Sequence, residues 1–286
     1  MTVARKILLT GSTGYVGSLI QAGLGEHWDL TGVSRHSTEN PRQFRCDLVD
    51  RQQIYQLREN VEPDVIVHAA GDKNLVRCEA APKAAYLSNV QTTLNLIEAF
   101  PRSRIIYISS DYVFSGDRGG YREDDPLSPL TVYGRTKACA ELAGLMLSPQ
   151  FYILRLSALY DHNATFIRFL RDRLISGEPV DCYSDAYYSP TFFGDFLAVL
   201  QRVVENSDLN RRIYHSCGHR TSRYYFAKLF ARASGFDESL VLQASRAENN
   251  VPYLFADISL ENTLTREALE ISMGGHEGSL SAMVAL

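Results

Sequence analysis

The chain is poor in the features that mark several large classes of protein. Its five cysteines (Cys46, Cys78, Cys139, Cys182 and Cys217) are scattered, odd in number and without C-x-x-C spacing. Neither a disulfide framework nor a zinc site is expected, and the thiols read as reduced and mostly structural. His215-Ser216-Cys217-Gly218-His219 is a local His/Cys group, but its spacing matches no zinc-ligand pattern, so it reads as structural and no metal is expected. Basic excess is missing too: 29 Lys and Arg stand against 33 Asp and Glu, a net charge of -4. That balance speaks against a nucleic-acid partner, because phosphate backbones are held by surplus cations. No apolar run reaches the roughly 20 residues needed to cross a bilayer, and the opening MTVARKILLTGS has no signal-peptide core. No membrane partner is expected, and the chain reads as soluble and cytoplasmic. A G-x-S-x-G elbow is also lacking, which disfavours a serine hydrolase.

What remains is an ordinary globular composition, 45% hydrophobic and 22% charged over 286 residues. That length suffices for one large domain, or for a large domain and a smaller lobe, each with its own core. Ile7, Leu8 and Leu9 form a short apolar run, as a strand buried on both faces does. The run passes into Gly11-Ser12-Thr13-Gly14-Tyr15-Val16-Gly17 and then into a helix-compatible stretch ending at Leu24. Glycine turns are common for structural reasons alone, but between a strand and a helix they have a specific use. Gly11 allows the tight turn, Gly14 lets the backbone approach a pyrophosphate, and Gly17 lets the helix pack close to the strand. The helix N-terminus then faces the anion. Residues 11–17 are therefore candidate dinucleotide contacts.

The second strand, Trp28 to Val33, ends in Ser34-Arg35-His36. A carboxylate at this point binds the ribose 2′-hydroxyl of NAD, whereas an arginine accommodates the 2′-phosphate of NADP. With no carboxylate present, Ser34 and Arg35 favour NADP, taken as NADPH, over NAD. The bland alternative is a solvated surface arginine.

Further along, Phe44 to Leu48 reads as a short third strand carrying Asp47, and Arg51 to Asn60 as a helix. Val65 to Gly71 reads as a buried strand running into the small residues Ala69, Ala70 and Gly71. Pro82 to Phe100 reads as one long helix that includes Asn89, Arg104 to Ile108 as the fifth strand, and Phe151 to Leu156 as the sixth. Strands alternating with helices predict an α/β fold, a Rossmann-type doubly wound parallel sheet with ligands gathered at the carboxyl ends of its strands.

Ser109-Ser110-Asp111-Tyr112-Val113-Phe114 follows the fifth strand directly, so its hydroxyls emerge at that ligand-binding edge. The loop from Ser115 to Leu130, rich in Gly, Asp and Pro, has the length of a functional lid. Tyr133-Gly134-Arg135-Thr136-Lys137 then reads as the opening turn of a helix. Residues four apart share a helix face, and an ammonium close to a phenol favours the phenolate. Such a phenol can exchange a proton with a carbonyl oxygen while hydride reaches or leaves the carbon. Tyr and Lys at this spacing also occur on ordinary amphipathic helices, so the pair takes its meaning from its neighbours.

Four stretches in this order, Gly11-x-x-Gly14-x-x-Gly17, Ser109 to Gly116, Tyr121-x-Glu123-x-Asp125-x-x-x-Pro129 and Tyr133-x-x-x-Lys137, resemble the extended short-chain dehydrogenase/reductase family. The nearest branch is that of the dTDP-4-dehydrorhamnose reductases and their relatives. The resemblance implies that Tyr133 is the acid/base, that Lys137 holds the nicotinamide ribose and tunes the tyrosine, and that Ser110 binds the carbonyl oxygen with Asp111 beside it. It also implies cofactor contacts at Asp47 and Leu48, at Ala69, Ala70 and Gly71, at Asn89 and at Ser109. The activity it implies is NADPH-dependent reduction of a keto group on a nucleotide-activated sugar; the sequence does not give the oligomeric state, and a homodimer is the assembly considered. Three alternatives stand beside it: a reductase of a non-sugar carbonyl, a nucleotide-sugar epimerase or dehydratase, and a non-catalytic NADP-binding subunit like the regulatory subunit of methionine adenosyltransferase.

The implied division is a nucleotide-binding domain over residues 1–157 and a smaller substrate lobe over 158–286, with segments returning to the first domain. In the lobe, Tyr183, Tyr187, Tyr188 and Phe192 either stack on a base or, more ordinarily, fill a core. The end of the chain departs from the branch. Arg246 precedes Ala247 where an Arg-Pro pair is usual, the final element reads Ser259-Leu260-Glu261, and the tail from Gly274 is atypical.

Overall fold

The structure is a computed structural model that describes residues 5–36, 40–249 and 252–285. The chain divides into two compact units: Met1–Val113, Leu127–Arg155 and Leu200–Ile213 form the first, and Phe114–Pro126, Leu156–Val199 and Tyr214–Leu286 the second.

The first unit begins with β1 (Lys6–Thr10), α1 (Tyr15–Leu24), β2 (Asp29–Ser34), β3 (Gln43–Arg45), α2 (Arg51–Asn60) and β4 (Val65–His68). There follow α3 (Leu75–Ala80), α4 (Pro82–Tyr86), α5 (Thr92–Ala99), β5 (Arg104–Ser110), α6 (Val132–Leu147) and β6 (Phe151–Leu156). The chain continues with β7 (Leu159–Tyr160), α7 (Thr165–Ile175), β8 (Val180–Tyr183), β9 (Tyr187–Tyr188), β10 (Thr191–Phe192), α8 (Phe193–Glu205) and β11 (Ile213–Ser216).

Seven of the strands form one parallel sheet in the order β11-β6-β5-β4-β1-β2-β3. The apolar run at residues 7–9 lies at its middle: Leu8 is in register with Thr31 of β2 on one side and Ile66 of β4 on the other. Strand order reverses between β1 and β4, the position at which doubly wound sheets open a crevice for ligands. Ile54 and Leu57 of α2, Leu96 and Ile97 of α5 and Ala140 of α6 pack with Leu8, Ile66, Ile105 and Phe151 of the sheet into one buried cluster. Because the strands are parallel, Gly11, Ala69 and Ser110 all leave the sheet at the same edge.

Two expectations shift. The helix read as continuous from Pro82 to Phe100 contains a π-helical turn, Leu87–Gln91, between α4 and α5. The third strand is three residues long, and Leu48 beyond it puts its side chain into the core.

The second unit is built from short strand pairs: β7 with β10 in parallel, β9 antiparallel with β12 (Thr221–Ser222), and β8 parallel with β13 (Val241–Ala244). Its helices include α7, α9 (Arg223–Ala233), α10 (Arg246–Asn249), α11 (Thr263–Leu269) and α12 (His276–Val284). The core is aromatic. The Phe226 ring lies 5.1 Å from Tyr160, 6.0 Å from Tyr188 and 5.7 Å from His276, centroid to centroid. Tyr188 is therefore a core residue, whereas Tyr187 carries the Arg220 guanidinium 3.7 Å above its ring. The atypical tail forms α12, packed on α9. His215 and His219 make structural bonds: His215 Nδ1 lies 2.8 Å from the Glu261 carbonyl, and the His219 carbonyl lies 2.7 Å from His276 Nε2.

The glycine-rich loop is not a free lid. Its part within the second unit is pinned by Tyr121, whose amide donates to the Ser259 carbonyl at 2.9 Å and whose carbonyl accepts from Glu261 at 2.7 Å. Glu123 is buried and accepts from both the amide and the hydroxyl of Thr265, at 2.9 and 2.6 Å. A segment with its backbone paired and its carboxylate buried lacks the loose contacts that a moving element needs.

Candidate active site

The glycine turn has the conformation the sequence implies. Gly11 has φ +68°, and a Cβ there would stand 2.8 Å from the Ala70 backbone, so only glycine fits between β1 and the end of β4. Gly17 is needed for a nearer reason than packing on the strand: a Cβ would lie 2.2 Å from the Gly11 carbonyl oxygen, inside the turn itself. The N-cap of α1 is Gly14, which has no side chain to satisfy the first amides of the helix. No side chain caps the start of this helix, and an anion suits a helix N-terminus best. Thr13 and Gly14 are exposed, with Tyr15 and Val16 half-buried. Ser12 turns the other way: it is buried, with its hydroxyl 3.4 Å from Gln43 Oε1. Lys73, which the sequence did not single out, holds its ammonium 5.1 Å from the centre of the Tyr15 ring.

Tyr133 sits on the first turn of α6. Thr131 accepts from the Gly134 amide at 3.0 Å and Glu79 from the Val132 amide at 2.7 Å, so two side chains fix the start of this helix. Gly134 has no room for a Cβ, which would fall 2.0 Å from the Tyr112 carbonyl oxygen. This brings the helix against the turn that follows β5, with the Tyr133 ring edge-on to Tyr112 at 5.7 Å. The Tyr133 hydroxyl lies close enough to Ser110 for the serine to bear on its pKa. Ser110 gives its single hydrogen to Asp111 Oδ1, 2.9 Å away. Burial pushes the Tyr133 pKa well above that of a free tyrosine; Ser110 works against this, and the Asp111 carboxylate adds to it. The phenol keeps its proton at neutral pH.

Lys137 does not pull that pKa down. Its ammonium lies over the Tyr107 ring, 3.9 Å from the centroid, and donates to the Ile108 carbonyl at 2.5 Å. It makes no further hydrogen bond among the described residues. The expected direct pairing of ammonium and phenol is thus replaced by an ammonium held against β5, because an aromatic face and a strand-end carbonyl offer it partners there. Burial lowers its pKa to about 7, and Glu141, one helical turn on, opposes that fall. Glu141 is fully buried and bonded to Arg155 of β6, with Nη2 to Oε2 at 2.8 Å. His68, its ring 5.5 Å from that of Tyr107, is also fully buried, with Thr10 Oγ1 2.7 Å from Nδ1 and Thr93 Oγ1 3.1 Å from Nε2. Burial first, then the Lys137 charge, lowers the His68 pKa to about 3.

The remaining sequence candidates divide by what they already touch. Asn89, on the π-helical turn, accepts from the Asp72 amide at 2.6 Å and donates to the Asp72 carbonyl and Thr136 Oγ1, each at 3.0 Å. Its polar atoms are engaged within the protein, so it positions the loop after β4 against α6. Irregular turns of this kind are frequent at functional sites. Ser34 is buried and donates to the His36 carbonyl at 2.7 Å, whereas Arg35 is exposed. Asp47 is half-buried and accepts from the Val49 amide at 3.0 Å. With its side chain in the core, Leu48 has only its backbone to offer a ligand. Ala69 and Ala70 are half-buried and Gly71 is exposed. Ser109 has a buried hydroxyl without a partner among the described residues.

A dinucleotide fits this residue set on three observations: the start of α1 that no side chain caps, the orphaned Ser109 hydroxyl and the unspent ammonium hydrogens of Lys137. Among the described residues, no cluster of His, Cys, Asp and Glu has the arrangement of a metal site, and no helix is long and apolar enough to cross a membrane.

The family described as the RmlD substrate binding domain matches residues 5–276. The chain belongs to this family. A dTDP-4-dehydrorhamnose reductase from Aggregatibacter actinomycetemcomitans is 30% identical over 263 residues, covering 88% of this chain and 84% of the relative. Methionine adenosyltransferase 2 subunit beta from Xenopus laevis is 35% identical over 249 residues, 82% of this chain and 74% of the relative. A dTDP-4-dehydrorhamnose reductase from Bacillus anthracis, solved in complex with NADP, has a TM-score of 0.87 at 24% identity and covers 99% of both chains. At that identity the likeness speaks for the fold, which is the Rossmann-type α/β architecture the strand order shows. Membership in the RmlD family agrees with the extended short-chain dehydrogenase/reductase resemblance and with its branch.

Proposed function

We propose that the chain is an NAD(P)-dependent oxidoreductase, and more narrowly an NADPH-dependent reductase of a keto group on a nucleotide-activated sugar. One observation carries this reading: a phenol that keeps its proton, beside Ser110, at the same sheet edge as the glycine turn and the helix that follows it. A protonated tyrosine is an acid, so the arrangement suits delivery of a proton to a carbonyl oxygen, which is the direction of reduction.

Residues 11–17 would hold the pyrophosphate, Arg35 the 2′-phosphate, and Lys137 and Ser109 the nicotinamide ribose; when bound, the reduced nicotinamide supplies the hydride. Ser110 positions the substrate carbonyl, and the Tyr133 hydroxyl gives its proton to that oxygen. Ser110 then turns its hydrogen from Asp111 to the phenolate left behind, the same contact that lowers the phenol's pKa. Positioned proton transfer of this kind contributes about a hundred- to ten-thousandfold in rate. The names of the reductase relatives support the nucleotide sugar as substrate. The wider reading is of a soluble cytoplasmic enzyme, assembled as a homodimer.

The test follows oxidation of NADPH and of NADH by the purified chain across a panel of nucleotide 4-keto sugars. Tyr133→Phe is expected to remove at least about 99% of turnover while NADPH binding persists. Undiminished turnover in that variant would discard the mechanism.

A second reading is favoured by the methionine adenosyltransferase 2 subunit beta relatives, whose identity to this chain reaches 35%. On it, the chain is a non-catalytic NADP-binding subunit. Capture of a larger partner together with no NADPH oxidation on any keto sugar would select it. The complete set of Tyr133, Lys137 and Ser110 supports the reductase.

A further inference from the structure

Among the buried charges of the first unit, Glu141 has no part in the chemistry described so far. It lies on α6 eight residues after Tyr133 and four after Lys137, so the three share one helix face. It is fully buried, as is Arg155 to within 2% of its surface. Arg155 grips it through both Nε, at 3.1 and 3.2 Å, and Nη2, at 2.8 Å. A buried ion pair is weak support for stability, because desolvating both charges offsets most of their attraction. An apolar pair would tie α6 to β6 as well. What an apolar pair cannot provide is a fixed negative charge one turn from a buried ammonium.

Lys137 needs one. Among the described residues its own partners, the Tyr107 ring and the Ile108 carbonyl, are neutral. Of the titratable groups on the packed elements, His68 of β4 is neutral, Tyr107 of β5 and Tyr133 of α6 hold their protons, Arg155 of β6 is itself a cation, and Glu141 is the carboxylate that bears on Lys137. Of the groups on α3, Cys78 is buried and Glu79 caps α6 through the Val132 amide. Asp111, beyond Tyr133, bears on the phenol.

We propose that Glu141 is a positioning residue for the reaction, anchored by Arg155, whose carboxylate keeps Lys137 charged so that its free hydrogens stay available to a bound ribose. The link to catalysis rests on the reductase reading, but the effect on Lys137 does not, so the two can fail separately.

The experiment is a 13Cε-lysine NMR titration of the full chain, without substrate or cofactor, that follows the Lys137 signal in the parent, in Glu141→Gln and in Arg155→Gln. Glu141→Gln is expected to lower the Lys137 midpoint by about one pH unit, the size of one charge removed at helix-turn distance in a protein interior. Arg155→Gln deletes a cation and moves the midpoint the other way. A purely structural role gives no such opposition of sign. If stranding a buried guanidinium prevents Glu141→Gln from folding, the double exchange to Gln at both positions removes both charges and still lowers the midpoint, since the carboxylate is the charge that bears on Lys137. A folded Glu141→Gln protein with an unmoved Lys137 midpoint, or both single variants shifting the same way, overturns the proposal. Turnover on a keto sugar adds a second readout: in Glu141→Gln the loss of rate deepens as pH rises through the lowered midpoint, and NADPH affinity falls along with it. Absence of turnover in the parent, with the NMR shift intact, would discard the reductase reading and leave the role of Glu141 standing.

Discussion

The two units spend their polar groups differently. In the first, polar groups converge on one sheet edge and two are left with capacity to spare, the Ser109 hydroxyl and the Lys137 ammonium, beside a helix start that no side chain caps. In the second, the residues that invite a functional reading are consumed by the fold. Tyr188 packs on Phe226, Tyr187 stacks on Arg220, Glu123 binds Thr265, and His215 binds the Glu261 carbonyl. Unused hydrogen-bonding capacity inside a protein is costly unless a ligand completes it. The second unit also holds buried hydroxyls without a partner among the described residues, on Ser157, Tyr160, Tyr188 and Ser216, so the contrast lies in where the spare capacity sits: beside the glycine turn and Tyr133 at one sheet edge in the first unit, and dispersed over separate elements in the second.

Removing a ring from the aromatic core gives the largest expected effect on stability. Phe226→Ala leaves a cavity among Tyr160, Tyr188 and His276 and is expected to cost about 3–5 kcal/mol, read from chemical denaturation. NADPH affinity of the folded fraction should stay at the parent value. A matching fall in affinity would blur the division drawn above.

Acid offers the next largest effect, and it acts on the first unit. His68 has a folded pKa near 3 against roughly 6.5 unfolded. Its buried neutral state contributes stability that is fully present above the unfolded value and is lost as pH falls toward the folded one. Between pH 7 and 4 this amounts to about 3 kcal/mol. His68→Gln has no ring to titrate, so its stability should fall less steeply over the same range than the parent's. Parallel curves for the two proteins would show that the ring is not held neutral.

Asn89 tests whether positioning and binding are separable. Asn89→Ala strands the Asp72 amide and removes a bond to Thr136, at an expected cost of about 1–3 kcal/mol. Affinity for NADPH should fall with it, because the loop after β4 loses its tie to α6. Lost affinity at unchanged stability would mean that Asn89 touches the ligand directly.

Local sequence carries what is local in space. The glycine turn and the Tyr133-to-Lys137 spacing were readable because the residues that act together are neighbours along one strand-turn-helix or on one helical turn. The surroundings of Lys137 were not, since Tyr107, His68 and Arg155 arrive from β5, β4 and β6 and only the order of the sheet puts those strands side by side. Glu141 lay within reach of the spacing argument, four residues past Lys137, and was missed because nothing in sequence marks its burial. The π-helical turn at Asn89 was hidden for another reason: its composition suits an unbroken helix, and the irregularity comes from tertiary bonds to Asp72 and Thr136. In the second unit, strands of two residues have no periodicity to detect, and its aromatics suited a base or a core equally well until their neighbours were known.

The smallest expected effect concerns the choice between the two nicotinamide cofactors. Arg35 is exposed at the end of β2, and Ser34 beside it has turned its hydroxyl onto the His36 carbonyl. Of the two residues read as NADP contacts, the arginine alone retains a free charged end to meet a 2′-phosphate. A charge-assisted bond to phosphate at an exposed position is worth roughly 1.5 kcal/mol, about tenfold in affinity. Arg35→Ser should therefore weaken NADPH by about tenfold and leave NADH unchanged, as read by nicotinamide fluorescence. Equal weakening of both cofactors would place the arginine against the shared adenosine instead. No change in either would make it a solvated side chain, and the preference for NADPH would then need another source within the first unit.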